Sequence, residues 1–199
     1  MVILPTSYFP NIAYFAVLLK HKEVIISSNE IFPKQTLRNR CVIINANGLQ
    51  NLSIPVERES GHETLTKDIR ISYSEDWRKI HLRSIESAYR RTPYYEYYID
   101  ALEKILTANH THLIDLNFEL LKFLTDKTGL ACQVNVPDAT EKISREMNEL
   151  VNPKINSDYQ GKPYLQTFTE RFGFQNNLSI LDLLFNEGPN AICVLEEGN

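Results

Sequence analysis

Six polar side chains stand in two short stretches near the start of the chain: Thr6, Ser7, Tyr8 and Asn11, then Ser28 and Asn29. Hydroxyls and amides placed where a helix begins can join free backbone N–H groups in binding a phosphate or carboxylate. The same residue types also cap helices and form turns, so capping is the competing account. Lys34, Arg38, Asn39 and Arg40 follow at once. Three cations within seven residues can clamp an anion, an arginine fork matches phosphate geometry, and Asn39 would orient a polar group. A solvated loop face is the alternative. His81 lies four residues after Trp77 and four before Ile85. Its ordinary pKa is close to neutral, so it is the acid–base candidate, set against the plainer account of a partly buried helix histidine. Arg90 and Arg91 beside Tyr94, Tyr95, Tyr97 and Tyr98 can stack bases or sugars, or else pack a helix junction with wet hydroxyls.

Other chemistries lack their signatures. The glycines of a phosphate-binding loop or dinucleotide fingerprint are missing from the opening stretch. No nucleophile–base–acid order and no paired catalytic carboxylates stand out. Cys41, Cys132 and Cys193 are widely spaced, without a CxxC pair, and read as free buried thiols. His21, His62, His110 and His112 show no ligand spacing. No metal ligand is assigned, and no cofactor is identified.

The elements that must position these groups can be read from periodicity. Val2–Leu4 is a short strand ended by Pro5, and Pro10 biases Phe9 toward extended backbone. Ile12, Phe15, Ala16 and Leu19 give a helix from about Asn11 to Lys20, and Val24–Ile26 reads as a second strand. This is a βαβ unit with parallel strands. Its loops at Thr6–Tyr8 and Ser27–Asn29 leave the carboxyl edge, where open parallel sheets bind ligands. Cys41–Ile44 and Leu49–Val56 form a hairpin around Asn47-Gly48. Ile69–Ser72 suggests one more short strand, and Ala131–Val136 another.

Helical periods then dominate. Trp77, Ile80, Ser84, Ile85 and Ala88 mark one helix, Tyr95–Leu106 a second and Leu116–Leu124 a third, with Gly129 as its cap. Thr140–Leu150 reads as an exposed helix. Ser179 and Asp182 resemble a capping box ahead of a helix that Gly188-Pro189 stops. The fold class is therefore α/β: an N-terminal βαβ unit and hairpin forming a mixed sheet, followed by a mainly helical C-terminal half. One domain over residues 1–199 is expected, with a sheet-rich part at 1–72 and helical packing at 73–199. A net charge of -4 argues against broad nucleic-acid binding. No uncharged apolar run reaches membrane-spanning length, and no signal peptide is indicated, so membrane insertion is not expected and cytoplasm is the default.

The order of several motifs resembles the WbqC-like protein family, found among bacterial surface-polysaccharide gene clusters. Thr6-Ser7-Tyr8-Phe9-Pro10 and Ala13-Tyr14-Phe15 are similar to its opening. Phe32-Pro33-Lys34 and Arg38-Asn39-Arg40 look like its next landmarks. Asp76-Trp77-Arg78-Lys79, Tyr89–Tyr95 and Leu178–Gly188 continue the likeness. Ser28-Asn29 stands where the family carries an acidic pair. The resemblance implies a role in O-antigen or capsule production. It further implies transfer of a group to or from a phosphorylated or activated small molecule, seated on the polar residues named above with His81 as acid–base group. The rivals are a noncatalytic ligand-binding or assembly protein with a protein partner, and a nucleotidyltransferase-like enzyme.

Overall fold

The computed structural model describes residues 2–57, 63–136, 142–154 and 159–198. The βαβ unit is present. Strand β1 (Val2–Pro5) leads to helix α1 (Ile12–Leu19) and strand β2 (Glu23–Ser27). β1 and β2 run parallel, with Leu4 opposite Ile26 and Pro5 opposite Ser27. Their β-branched runs suit a strand covered on both faces, and Leu4, Val24 and Ile26 are buried. The third strand of this sheet, β7 (Gln133–Asn135), arrives from far along the chain and pairs parallel to β2.

Antiparallel pairs complete the sheet-rich part. β3 (Arg40–Asn45) and β4 (Gly48–Ser53) form the hairpin. Its turn residues are Ala46 and Asn47, and Gly48 carries the positive φ of 104° that the close return requires. β5 (Val56–Glu57) pairs with β6 (Arg70–Ile71).

The later half is mainly helical: α2 (Trp77–Tyr89), α3 (Tyr95–Thr107), α4 (Leu113–Thr128), α5 (Arg145–Glu149), α6 (Thr169–Phe172), α7 (Ile180–Glu187) and α8 (Ala191–Glu197). Of the expected Thr140–Leu150 helix, residues 140 and 141 lie outside the described residues, 142–144 are not helical, and only α5 forms, capped by Ser144. Helix α4 ends as its sequence indicates, with Gly129 left-handed at φ 74°. Gly188 is required twice over. Its φ is 54°, and a Cβ there would meet the Tyr94 ring at 2.4 Å. One hydrophobic core joins the sheet to α1, α2, α3, α4 and α7.

Four local expectations are corrected. Phe9 is not extended; its φ is 41°, a left-handed setting held by complete burial beside Tyr8. On α2, Ile80 is exposed and His81 is buried, because the inward stripe is Trp77, His81, Ile85 and Tyr89 at spacings of four. The capping box is half formed. Ser179 Oγ accepts from Leu181, but Ser179 N–H goes to Val42 O, leaving the Asp182 carboxylate free to turn elsewhere. Of the thiols, only Cys41 is buried; Cys193 is exposed. Among the described residues, no helix is long and apolar enough to cross a membrane.

Candidate functional site

The parallel pairing of β1 and β2 brings Thr6–Tyr8 and Ser27–Glu30 to one carboxyl edge. What gathers there is a buried polar cluster rather than an open cleft. Thr6, Ser7, Tyr8, Asn11, Ser28 and Arg38 are all buried. The Arg38 guanidinium forms a fork with Glu30, Nε to Oε1 and Nη2 to Oε2 at 2.8 Å each. Nη2 also donates to Asn148 Oδ1 at 2.8 Å. This is the geometry expected of an arginine reading a carboxylate, satisfied here from within the chain. Asn117 Nδ2 donates to Arg38 O at 2.8 Å and to Thr6 Oγ1 at 3.0 Å. Asn117 Oδ1 is buried and has no hydrogen-bond partner among the described residues.

Three segments cover this edge. Leu37 O accepts from Ser7 Oγ and Tyr8 N. The Thr64–Lys67 stretch takes the Ser28–Phe32 backbone, with Thr66 N–H on Glu30 O and Lys67 N–H on Ser28 O. Helix α5 and its exit close the third side. Asn148 meets Arg38, Leu150 O accepts from Asn11 Nδ2 at 3.1 Å, and Val151 O accepts from Leu37 N at 2.7 Å. α5 itself contributes no fully buried residue. Asn11 also caps α1 through Tyr14 N, so its capping role is present alongside its contact with Leu150.

The other predicted residues are dispersed. Lys34 is exposed, and Asn29 and Arg40 are partly buried. Asn39 Nδ2 donates to Ile54 O at 2.9 Å, which ties the start of β3 to the end of β4. Arg40 opens β3, and its Nε is buried without a protein partner among the described residues.

His81 lies beneath this edge, 2% exposed, with Nδ1 2.8 Å from the Tyr8 hydroxyl. Burial lowers its pKa to about 4, partly opposed by a hydrogen bond to the Ser53 backbone. The imidazole is therefore neutral near pH 7. Its single N–H serves the Ser53 backbone, so Nδ1 accepts and Tyr8 donates. Burial also raises the Tyr8 pKa well above that of a free tyrosine.

A second buried polar cluster surrounds Asp182, which is fully buried on α7. Its Oδ2 accepts from Tyr164 Oη at 2.6 Å and Gln166 Nε2 at 2.9 Å. Burial raises its pKa to about 6, against the pull of hydrogen bonds from Tyr164 and Gln166 and the nearby Tyr89 hydroxyl. The tyrosines at and beyond the end of α2 mostly pack: Tyr95 and Tyr89 lie against Phe185 at ring separations of 5.5 and 5.2 Å, while Tyr97 is exposed. Open space lies elsewhere. One groove of about 670 Å³ runs between α2 and α3, and a cleft of about 710 Å³ lies between α2, the hairpin tip and Thr167–Phe168. No cluster of three or more metal-ligating side chains occurs among the described residues.

Sequence reading missed Glu30, Asn117, Asn148 and the inward turn of Asp182. Asn117 had a findable signal. It is the single amide in the buried stripe Leu113, Leu116, Leu120, Leu121 and Leu124 of α4. Glu30 and Asn148 had none: Glu30 meets Arg38 through the irregular path of the loop between them, and Asn148 only through the chain's return in α5.

The model of the WbqC-like protein family matches residues 6–167. That span holds the whole sheet-edge cluster and His81, and it stops before Leu178–Gly188. The uncharacterized protein Rv1507c of Mycobacterium tuberculosis (strain ATCC 25618 / H37Rv) is 27% identical over 223 residues, covering 96% of this chain and 95% of that protein. No solved structure matches the chain significantly.

Proposed function

The chain belongs to the WbqC-like protein family, and from that premise we propose a transferase acting on a phosphorylated or activated small molecule in surface-polysaccharide precursor metabolism. Membership points to a role in polysaccharide biosynthesis, and the chemistry of the sheet edge supports the finer reading. The observation that carries it is the convergence of Thr6, Ser7, Arg38 and Asn117 at the carboxyl ends of β1 and β2, with Asn117 Oδ1 buried and without a partner among the described residues. Thr6, Ser7, Tyr8, Asn11, Ser28 and Asn29 are the polar lining of the ligand seat. Lys34 and Arg40 bring positive charge that no carboxylate neutralises among the described residues, and Arg38 exchanges Asn148 for an anionic ligand group. Asn39 holds the strand from which Arg40 extends. His81 fixes the Tyr8 hydroxyl and acts through it as a positioning residue.

Entry requires α5 and its exit to lift. That breaks three hydrogen bonds, to Arg38, Asn11 and Leu37. At about 0.5–1.5 kcal/mol each, a ligand with modest preference for the open form can repay the cost. Transfer then rests on positioning and charge stabilisation. A noncatalytic binding or assembly role is the second reading. It is favoured by one observation: His81 is neutral, sealed and committed at both ring nitrogens.

The test is a thermal-shift and native-mass screen with nucleotide sugars, phosphorylated sugars and acyl carriers. A ligand that raises the melting temperature of the wild type but not of Thr6→Val supports the sheet-edge seat. Stabilisation equal in both, or none from any of the three classes, overturns it. Turnover of the bound compound separates transferase from binder.

A further inference from the structure

We infer that the cleft between α2, the tip of the β3–β4 hairpin and the Thr167–Phe168 turn is a second ligand site, built for a nucleoside diphosphate. It stands apart from the sheet edge and does not rest on that reading. Three guanidiniums, Arg83, Arg90 and Arg91, line it against one carboxylate, Glu86. This concentration of positive charge occurs in a chain whose net charge is -4. Arg83 and Arg90 are seven residues apart on α2 and its cap, two turns of helix along one face. Glu86 does little to neutralise them. Its approach to Arg90 is 3.8 Å, with the two side chains 51% and 70% exposed, a weak screened pair. Arg83 and Arg91 have no carboxylate partner among the described residues. A cation at a helix C-terminus is ordinary, which accounts for Arg90 and Arg91. Arg83 sits in mid-helix and borders both this cleft and the acidic groove between α2 and α3.

The opposite wall supplies a different chemistry. Phe168 is half-buried there and Ala46 leaves room beside it, so one side offers a flat apolar face and the other offers guanidiniums. A cavity of about 710 Å³ is far larger than inorganic phosphate needs and lies within the range of small-molecule sites. A ring on Phe168 and two phosphates on the arginines use both walls.

This wall is set before any ligand arrives. Buried Gln166 donates to Asp182 Oδ2 and to Gln175 O, both at 2.9 Å, and its Oε1 accepts from Gln175 N at 2.8 Å. Those bonds fix the turn whose next residues are Thr167 and Phe168. Thr167 Oγ1 reaches Asn186 Oδ1 at 3.3 Å, and Arg171 donates to Ala46 O, which joins the turn to the hairpin tip. A wall fixed in advance reduces the ordering cost of binding.

Calorimetric titration with uridine diphosphate, inorganic pyrophosphate and uridine tests the site, using wild type, Arg83→Gln/Arg91→Gln and Thr6→Val. The two arginines are exposed, so the double variant keeps its melting temperature. The expected result is binding of uridine diphosphate and pyrophosphate, weakened by added salt, with at least about tenfold loss in the double variant and none in Thr6→Val. Uridine alone binds far more weakly than the diphosphate. Absence of diphosphate binding in the wild type overturns the site, as does equal affinity in the double variant. Loss in Thr6→Val with full binding in the double variant overturns it too, and assigns the diphosphate to the sheet edge instead.

Discussion

Arg38 and Asp182 are both sealed inside the protein, and the surroundings treat their charges in opposite ways. Arg38 meets a full countercharge in a two-pronged pair with Glu30, and Asn148 takes a further donor. Asp182 receives neutral donors, Tyr164 and Gln166, with Tyr89 close enough to act on its titration. The difference shows in protonation. Without a cation, burial pushes the Asp182 carboxyl up to about 6, so neutralisation can take the place of pairing. One region holds a fixed ion pair at the edge of the sheet. The other holds an adjustable acid behind the wall of an arginine cleft.

The sharpest way to break this comparison is to remove the fixed cation. Arg38→Ala leaves Glu30 and Asn148 without their partner and should cost about 3–5 kcal/mol in urea unfolding. A loss below about 1 kcal/mol would mean that Glu30 rehydrates freely, and that the pair does not hold the edge shut. Next comes Asp182. Replacement by Ala strands the Tyr164 hydroxyl and the Gln166 amide in the interior and should cost about 3 kcal/mol. Asp182→Asn keeps an acceptor and should stay within about 1 kcal/mol of wild type at pH 7. If Asn is as damaging as Ala, the negative charge itself is needed and the contrast with Arg38 disappears.

A third test uses pH. Asp182 has a raised pKa, from 3.8 to about 6, so its favourable contribution is complete below 3.8 and is lost as pH rises through about 6. His81 is shifted the other way, from 6.5 to about 4; its contribution is present above 6.5 and lost as pH falls through about 4. Between about 4 and 6 the two slopes oppose each other. Asp182→Asn should uncover a stability that rises with pH across that window, and His81→Gln one that falls. Each change relative to wild type should be on the order of 2 kcal/mol, read from urea midpoints at a series of pH values. Parallel profiles for wild type and both variants would sink the assignment of these two groups.

The same contrast explains what could be read from the chain. The βαβ opening was legible because its strands are β-branched, its helix has a clear period, and the parts are close in sequence. The hairpin was legible from its alternation and Gly48. β7 was visible as a strand but not as the neighbour of β2, since local pattern says nothing about pairing across more than a hundred residues. The polar edge was located correctly at the carboxyl ends of β1 and β2. Its closure was not, because a serine or threonine that lines a cleft and one that is buried under a returning segment look alike. Arg38 had the same ambiguity: its type promised an anion, and the anion it meets is Glu30. Asp182 hid behind a plausible capping pattern, while Tyr164, Phe168 and Phe172 have the spacing of a short helix, and the helix that forms, α6, starts only at Thr169 and leaves Tyr164 and Gln166 in irregular chain ahead of it.

The smallest expected effects form a matched pair, Tyr8→Phe and Tyr164→Phe. Each removes one buried hydroxyl donor, at 2.8 Å from His81 Nδ1 in the first case and 2.6 Å from Asp182 Oδ2 in the second. Each should cost about 1 kcal/mol of stability at pH 7. Their influence on titration differs in kind. The Tyr8 hydroxyl favours neutral His81 by filling its acceptor nitrogen, so its loss should raise the His81 pKa. The Tyr164 hydroxyl favours ionised Asp182, so its loss should raise the Asp182 pKa. Both shifts run upward, yet they act on stability in opposite senses. Tyr8→Phe reduces the penalty for charging histidine and should flatten the stability rise that Asp182→Asn exposes. Tyr164→Phe makes the acid harder to ionise and should steepen the fall that His81→Gln exposes. The check is the pH slope of the double variants, Tyr8→Phe with Asp182→Asn and Tyr164→Phe with His81→Gln. Equal slopes in single and double variants would show that burial alone sets both groups, and that the hydroxyls only fill space.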